Sequence, residues 1–194
     1  MGKLLKTKSP LYRAFDAEEY ARDFLLGRFR LTALATYKTI EDSSRRDMSE
    51  GEGHFFDQSN HEWHIEFGGK TYLLCLAGPD VDLKYLRDRF GQWVVRIDKP
   101  ESLARDIEAS LSAKGLGTFN GVHGRPVAYS KGQRVMVPDD PMRRLELILA
   151  QKPDSFRDES EYRLYTIVPA RHEELAGEFL HIDLGTSLGY ARLI

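Results

Sequence analysis

The chain has 194 residues, 41% of them hydrophobic and 30% charged, and a formal net charge of −2. That length can bury one sizeable core, so a single domain over residues 11–194 is expected behind a basic, mobile arm at residues 1–10. Interspersed charges that nearly cancel argue against tight, sequence-independent duplex binding, and no run approaches the roughly 18 consecutive apolar residues of a membrane span. With Cys75 as its one cysteine, the chain cannot form an intrachain disulfide, and a reducing, cytoplasmic setting is the simplest expectation.

From the N-terminus, residues 11–15 form a short strand candidate. Asp16 and Glu19 then have the spacing of a capping pair, and Ala17, Tyr20, Ala21, Phe24 and Leu25 recur at helical spacing up to Gly27. Residues 28–35 switch to period two, with Phe29, Leu31 and Ala33 on one face. Residues 40–53 make a polar loop too long for a tight turn, of the kind that is functional or mobile. Trp63, Ile65 and Phe67 alternate with polar residues, Gly68-Gly69 offers a hairpin turn, and residues 70–77 return as a more buried strand.

Asp82 predicts the cap of a helix with Leu83, Leu86 and Phe90 inward and Gly91 at its end. Trp93, Val95 and Ile97 alternate as a strand, and Pro100 opens a helix with Leu103, Ile107 and Leu111 on one face. The glycines of residues 115–124 predict a flexible loop, and Val127, Tyr129, Val135 and Val137 suggest two strands around Lys131-Gly132. Asp140-Pro141 starts a helix that buries Leu145, Ile148 and Leu149. After Pro153 come a strand through Val168 and a final one at residues 179–184. Strands interrupted by helices without a regular βαβ period give an α+β class.

Several chemistries lack their signatures. Gly115, Gly117, Gly121 and Gly124 have the wrong spacing for a phosphate loop and no following helix. His54, His61 and His64 match no zinc spacing, and strand alternation sends His61 and His64 to opposite faces, so no metal site is expected. Cys75, inside Y-L-L-C-L, reads as a buried structural thiol.

What remains is a set of charged and aromatic residues. Glu159 and Glu161, in D-E-S-E-Y-R-L-Y, would share one side of a strand start, either as a solvated edge or as part of a cleft that stabilises positive charge. Arg46, beside Asp47 and Glu50 in the polar loop, could grip a diphosphate or simply stitch a surface loop. Arg13 could snorkel to water or face the same cleft as Glu161. Tyr12, Tyr37 and Tyr165 are core or rim aromatics that could each stack on a planar ring.

The early L-Y-R strand, the stretch Y-x-x-I-E-D-x-x-R-x-D-x-x-E-G and the late F-x-x-E-x-E-Y-R-L together resemble bacterial abortive-infection (AbiGi-like) domains over most of the chain. The order of an arginine on an early strand, a polar middle and E-x-E on a late strand is also similar to the Arg-Ser-Glu branch of the ADP-ribosyltransferase superfamily. That resemblance implies a split mixed β-sheet gripping NAD as substrate. Arg13 would hold the NAD phosphates or nicotinamide ribose, with Tyr12, Tyr37, Arg46, Asp47 and Glu50 as further NAD contacts. Glu161 would bond the nicotinamide-ribose hydroxyl, and Glu159 would orient the acceptor. The S-T-S motif of the family's central strand has no counterpart here.

The expectation is therefore a toxin or antiphage effector transferring ADP-ribose to a protein or nucleic acid, with an antitoxin as a possible partner and no membrane association. Its rivals are a non-catalytic recognition or antitoxin-like module that binds through residues 45–50, and a nuclease using Asp47, Glu50 and Glu161 on a divalent cation.

Overall fold

A computed structural model of the chain describes residues 9–39, 52–59, 61–66, 70–118, 121–129, 135–136, 138–169 and 177–194. The fold is α+β, centred on an eight-stranded sheet. Its strands are β1 (Leu11–Phe15), β2 (Arg28–Ala33), β5 (Lys70–Ala77), β6 (Trp93–Ile97), β7 (His123–Pro126), β11 (Glu161–Val168), β12 (Phe179–Asp183) and β13 (Ala191–Leu193). Two small sheets lie apart from it. One joins β3 (Glu52–Phe56), β4 (Glu62–Glu66) and β9 (Val135–Met136); the other joins β8 (Ala128–Tyr129) and β10 (Gln151–Lys152). Over all three sheets the pairing is mixed and mostly antiparallel, the parallel ladders being β3 with β9 and β8 with β10.

The sheet is built on β5. On one edge β11 pairs with it throughout, from Val168 opposite Lys70 to Glu161 opposite Ala77. A strand has two edges, so β2 and β1 must share the other. β2 takes Tyr72 and Leu73, and β1 takes Ala77. From this shared edge one arm continues as β2 and β12, the other as β1, β6 and β13, and β7 lies outside β11. The sheet thus divides beside residues 74–76.

Both faces of β5 are covered, which explains its nearly continuous apolar run. On one face Tyr72, Leu74 and Leu76 meet Ala21 and Phe24 of α1 (Glu18–Leu25) and Leu103, Ile107 and Leu111 of α3 (Pro100–Ala113). On the other, Leu73 meets Leu145 and Leu149 of α4 (Pro141–Leu149), while Ala77 packs with Tyr12, Val94 and Leu86 of α2 (Leu83–Phe90). Among the described residues no helix is long and apolar enough to cross a membrane.

Local chemistry accounts for most element ends. The Asp82 carboxylate accepts from the Lys84 amide at 2.8 Å and caps α2. Gly91 ends that helix at φ 125°, a conformation closed to side chains, and a Cβ there would overlap the Phe15 carbonyl.

Other expectations require correction. Asp16 does not cap α1: the cap residue is Ala17, with no side-chain hydrogen bond, and Tyr20 of the expected apolar stripe is 53% exposed. β4 and β5 are not a hairpin, since β4 pairs with β3 while β5 takes its partners from the large sheet. The strands near Val127 and Val135 do not pair together: β8 joins β10 and β9 joins β3. The glycine-rich stretch does not stay a loop to its end, because Gly124 lies in β7 opposite Leu164. A side chain at Gly124 would run into the Tyr162 hydroxyl, so the glycine admits close strand packing.

Candidate functional site

The chain turns sharply between α4 and β11. β10 pairs with β8 in parallel and sets Lys152 opposite Tyr129. Pro153 then opens a short 3-10 turn segment, Asp154–Glu159, that folds Glu159 back onto Lys152, with Lys152 Nζ donating to Glu159 Oε2 at 2.8 Å. Ser160 follows in the left-handed region at φ 44° and ψ 44°, redirecting the chain into β11 at Glu161. Glu159 and Glu161 are therefore not alternate residues of one strand, as the spacing predicts. Their carboxylates meet because a left-handed kink stands between a turn and a strand.

Glu161 is fixed through its backbone and its side chain. Its amide donates to the Tyr129 hydroxyl oxygen at 2.5 Å, and its carbonyl accepts from the Val127 amide at 2.9 Å. The Gly78 amide binds the neighbouring Ser160 carbonyl at 2.6 Å. Arg163 Nε donates to Glu161 Oε1 at 2.7 Å and Lys152 Nζ lies 2.8 Å from Oε2. Arg163, only 1% exposed, also donates from Nη1 to the Leu149 carbonyl at 2.6 Å. Lys152 Nζ sits 4.8 Å from the centre of the Phe156 ring. The result is a buried quartet of two carboxylates and two cations.

The carboxylates differ in surroundings. Burial opposes charge on Glu161, but Arg163 and then Lys152 outweigh it and hold its carboxyl at about 2. Burial also acts on Glu159 and there prevails over Lys152, so its carboxyl lies above the ordinary value. Burial would lower Lys152, yet Glu161 and Glu159 keep the ammonium charged well above its usual range. Glu161 is thus the anion of the pair at neutral pH, suited to stabilising positive charge, and Glu159 is the member closer to proton exchange.

The other predicted residues fall in different places. Ala77 lies opposite both Tyr12 and Glu161, so these two share a face and Arg13 starts from the opposite one. Tyr12 packs with Ala77, Val81, Leu86 and Val94 as a core residue. The Arg13 guanidinium lies 5.4 and 5.9 Å from the centres of the Phe15 and Phe24 rings, and its Nη1 donates to the Cys75 carbonyl at 3.2 Å where the sheet divides. Tyr37 approaches Cys75 from the other side of β5, its hydroxyl 3.2 Å from Sγ. Burial and the charge of Glu161 push the Cys75 thiol up to about 12. The structure therefore gathers Glu159 and Glu161 tightly, brings Tyr37 and Arg13 to Cys75, and keeps Tyr12 in the core. Arg46, Asp47 and Glu50 lie outside the described residues.

Tyr165 is buried and stacks on His123, ring centres 5.3 Å apart. Among the described residues no group of three His, Cys, Asp or Glu converges as a metal site. Lys152, Arg163, Tyr129 and Phe156 are assigned no function by the sequence. Only Arg163 carried a signal: two positions after Glu161 on a strand, it must share that residue's face. Comparison of the chain with protein-family models, curated proteins and solved structures returned no match.

Proposed function

We propose that the protein transfers ADP-ribose from NAD to a macromolecular acceptor, a protein or nucleic acid, as a toxin or antiphage effector. The observation that carries this reading is the fixed, ionised carboxylate of Glu161 beside the division of the sheet, with Glu159 next to it on a shared ammonium. In such a reaction the bond between the ribose C1′ and the nicotinamide nitrogen breaks and its electron pair leaves with neutral nicotinamide. The ribose passes through an oxocarbenium-like state, which a neighbouring carboxylate stabilises. The acceptor's nucleophile forms the new bond to C1′ and gives up its proton to Glu159. Both carboxylates are covered in this state, their side chains 5–10% exposed. Entry of a ribose therefore requires the Phe156 turn and the Lys152 side chain to move.

Glu161→Gln is the direct test, with nicotinamide release from NAD as the readout and a melting curve as the folding control. A folded variant slowed by about 100-fold or more supports the proposal; one that releases nicotinamide at the wild-type rate ends it.

A second reading draws on the same quartet. Each of its four charges has a partner inside the fold, as a clamp between the turn and β11 would require. The protein would then be a non-catalytic recognition or antitoxin-like module. A folded state that binds NAD melts at higher temperature in its presence. No shift at millimolar NAD, with a stable complex formed with a partner protein, selects this alternative.

A further inference from the structure

We infer that Lys152 is a positioning residue that makes the two glutamates work as a pair, and that Arg163, which reaches Glu161 alone, makes them unequal. This role in transfer rests on the proposed ADP-ribosylation, whereas the coupling between the three side chains stands on geometry alone. An ammonium has three N–H donors. Lys152 directs its ammonium at Oε2 of Glu159 and Oε2 of Glu161, each at 2.8 Å, and Phe156 closes over the same nitrogen. Glu159 and Phe156 both belong to the turn that follows Pro153, so one cation holds that turn at two points. Lys152 itself is placed by the parallel ladder with Tyr129, whose hydroxyl accepts the Glu161 amide.

The two cations do different work. Without Lys152, Glu161 keeps Arg163, but Glu159 loses the ammonium that holds it beside a like charge. Its carboxyl must then take a proton or swing out with the turn. Without Arg163, both glutamates share one ammonium and Glu161 loses the charge that sets it apart from Glu159. The other titratable groups whose fields meet at the pair are Tyr129 of β8, Tyr85 of α2, Cys75 of β5, and Tyr37 beside Cys75. In transfer, Lys152 keeps Glu159 where it can receive the acceptor's proton while Glu161 stays ionised.

The test follows the carboxyl carbons of labelled glutamate by NMR through a pH titration, with Lys152→Gln, Lys152→Arg and Phe156→Leu beside the wild type. Glu161 should titrate below Glu159 in the wild type. Lys152→Gln should move Glu159 up by about one unit or more, as loss of a directly bonded charge does, and Lys152→Arg should move it less. Phe156→Leu keeps the ammonium, and should shift Glu159 while leaving Glu161 in place. It decides the matter if Lys152→Gln does not fold.

An unchanged Glu159 titration in the folded variants overturns the inference whatever the protein does to NAD. Nicotinamide release provides the separate arm. Lys152→Gln should lower kcat by about 100-fold with little change in KM and displace the acid limb of the pH profile, and Lys152→Arg should restore much of the rate. A wild type that releases no nicotinamide removes the transfer reading, while the carboxyl titrations still decide the coupling.

Discussion

Arg163 donates to both the Glu161 carboxylate and the Leu149 carbonyl from a site only 1% exposed. Removing it leaves a buried anion with Lys152 as its remaining ion-pair partner and the Leu149 carbonyl without this donor. Breaking one partner of a buried pair costs about 3–5 kcal/mol. Arg163→Met is accordingly expected to lose about that much in urea unfolding. Arg163→Lys should recover little, because an ammonium lacks the planar fork that serves two acceptors in fixed directions. The sign of the acid response follows from Glu161. Its folded carboxyl, at about 2, lies below the ordinary 4.5, so its contribution to stability is full above about 4.5 and lost as pH falls toward about 2. Stability measured over that window should fall steeply in the wild type and less steeply in Glu161→Gln. Glu159→Gln should not flatten it, since the Glu159 carboxyl moves the opposite way. Cys75 is predictable on the same grounds: only the thiolate reacts, and burial holds the thiol at about 12. Half-buried Cys75 should therefore react with a thiol reagent near neutral pH much more slowly than a free cysteine, and labelling at the free-thiol rate would contradict the raised thiol.

At the scale of elements, α2 shows how tightly a helix end can be specified. Its start is the Asp82 cap, and its end is a glycine at φ 125° whose Cβ would overlap Phe15 of β1. Gly91→Ala meets both a forbidden dihedral and backbone, which cannot yield as a flexible side chain can. It is expected to destabilise by about 1–3 kcal/mol or more, read as a lower urea midpoint, and a midpoint within error of the wild type would contradict this account. α2 was legible in the sequence because cap, stripe and stop agree along one short stretch, and α3 and α4 because a proline at the first helical position precedes an apolar stripe. Pairing between strands was not legible. Trp63, Ile65 and Gly68-Gly69 read as half a hairpin, yet β4 finds β3 and β5 finds three other strands, since long-range burial selects partners that local alternation cannot name. The carboxylate pair shows the same limit. The sequence picks out Glu159 and Glu161, but their meeting depends on the αL kink at Ser160 and on Lys152, to which the sequence assigns no function. A two-residue strand such as β10 has no periodicity to detect.

At the scale of the whole molecule, the two arms of the sheet share one edge of one strand, and Arg13 stands at their junction. Its guanidinium reaches from β1 to the Cys75 carbonyl on β5, between the residue paired with β2 and the residue paired with β1. The rings of Phe15 and Phe24 lie alongside it, which keeps a cation in a largely apolar setting while its donor is satisfied. A hydrogen bond from a charged donor is worth about 1.5–3 kcal/mol, so Arg13→Met should lose about that much stability with no ligand present. The loss should be local in origin: amide exchange should quicken first in β1 and in residues 74–77, with β12 and the centre of α3 less affected. Arg13→Lys should fall between, since an ammonium can reach the carbonyl without reproducing the flat stacking of a guanidinium. This separates two uses of the same residue. If Arg13→Met keeps its ligand-free stability within about 0.5 kcal/mol, the range of an ordinary surface change, the arginine is not what holds the arms together. Any loss of NAD binding in that variant would then belong to the ligand. If stability falls as expected, Arg13 organises the junction beside which Glu161 stands, and a NAD defect in the variant has to be measured against that loss before Arg13 is counted as a contact.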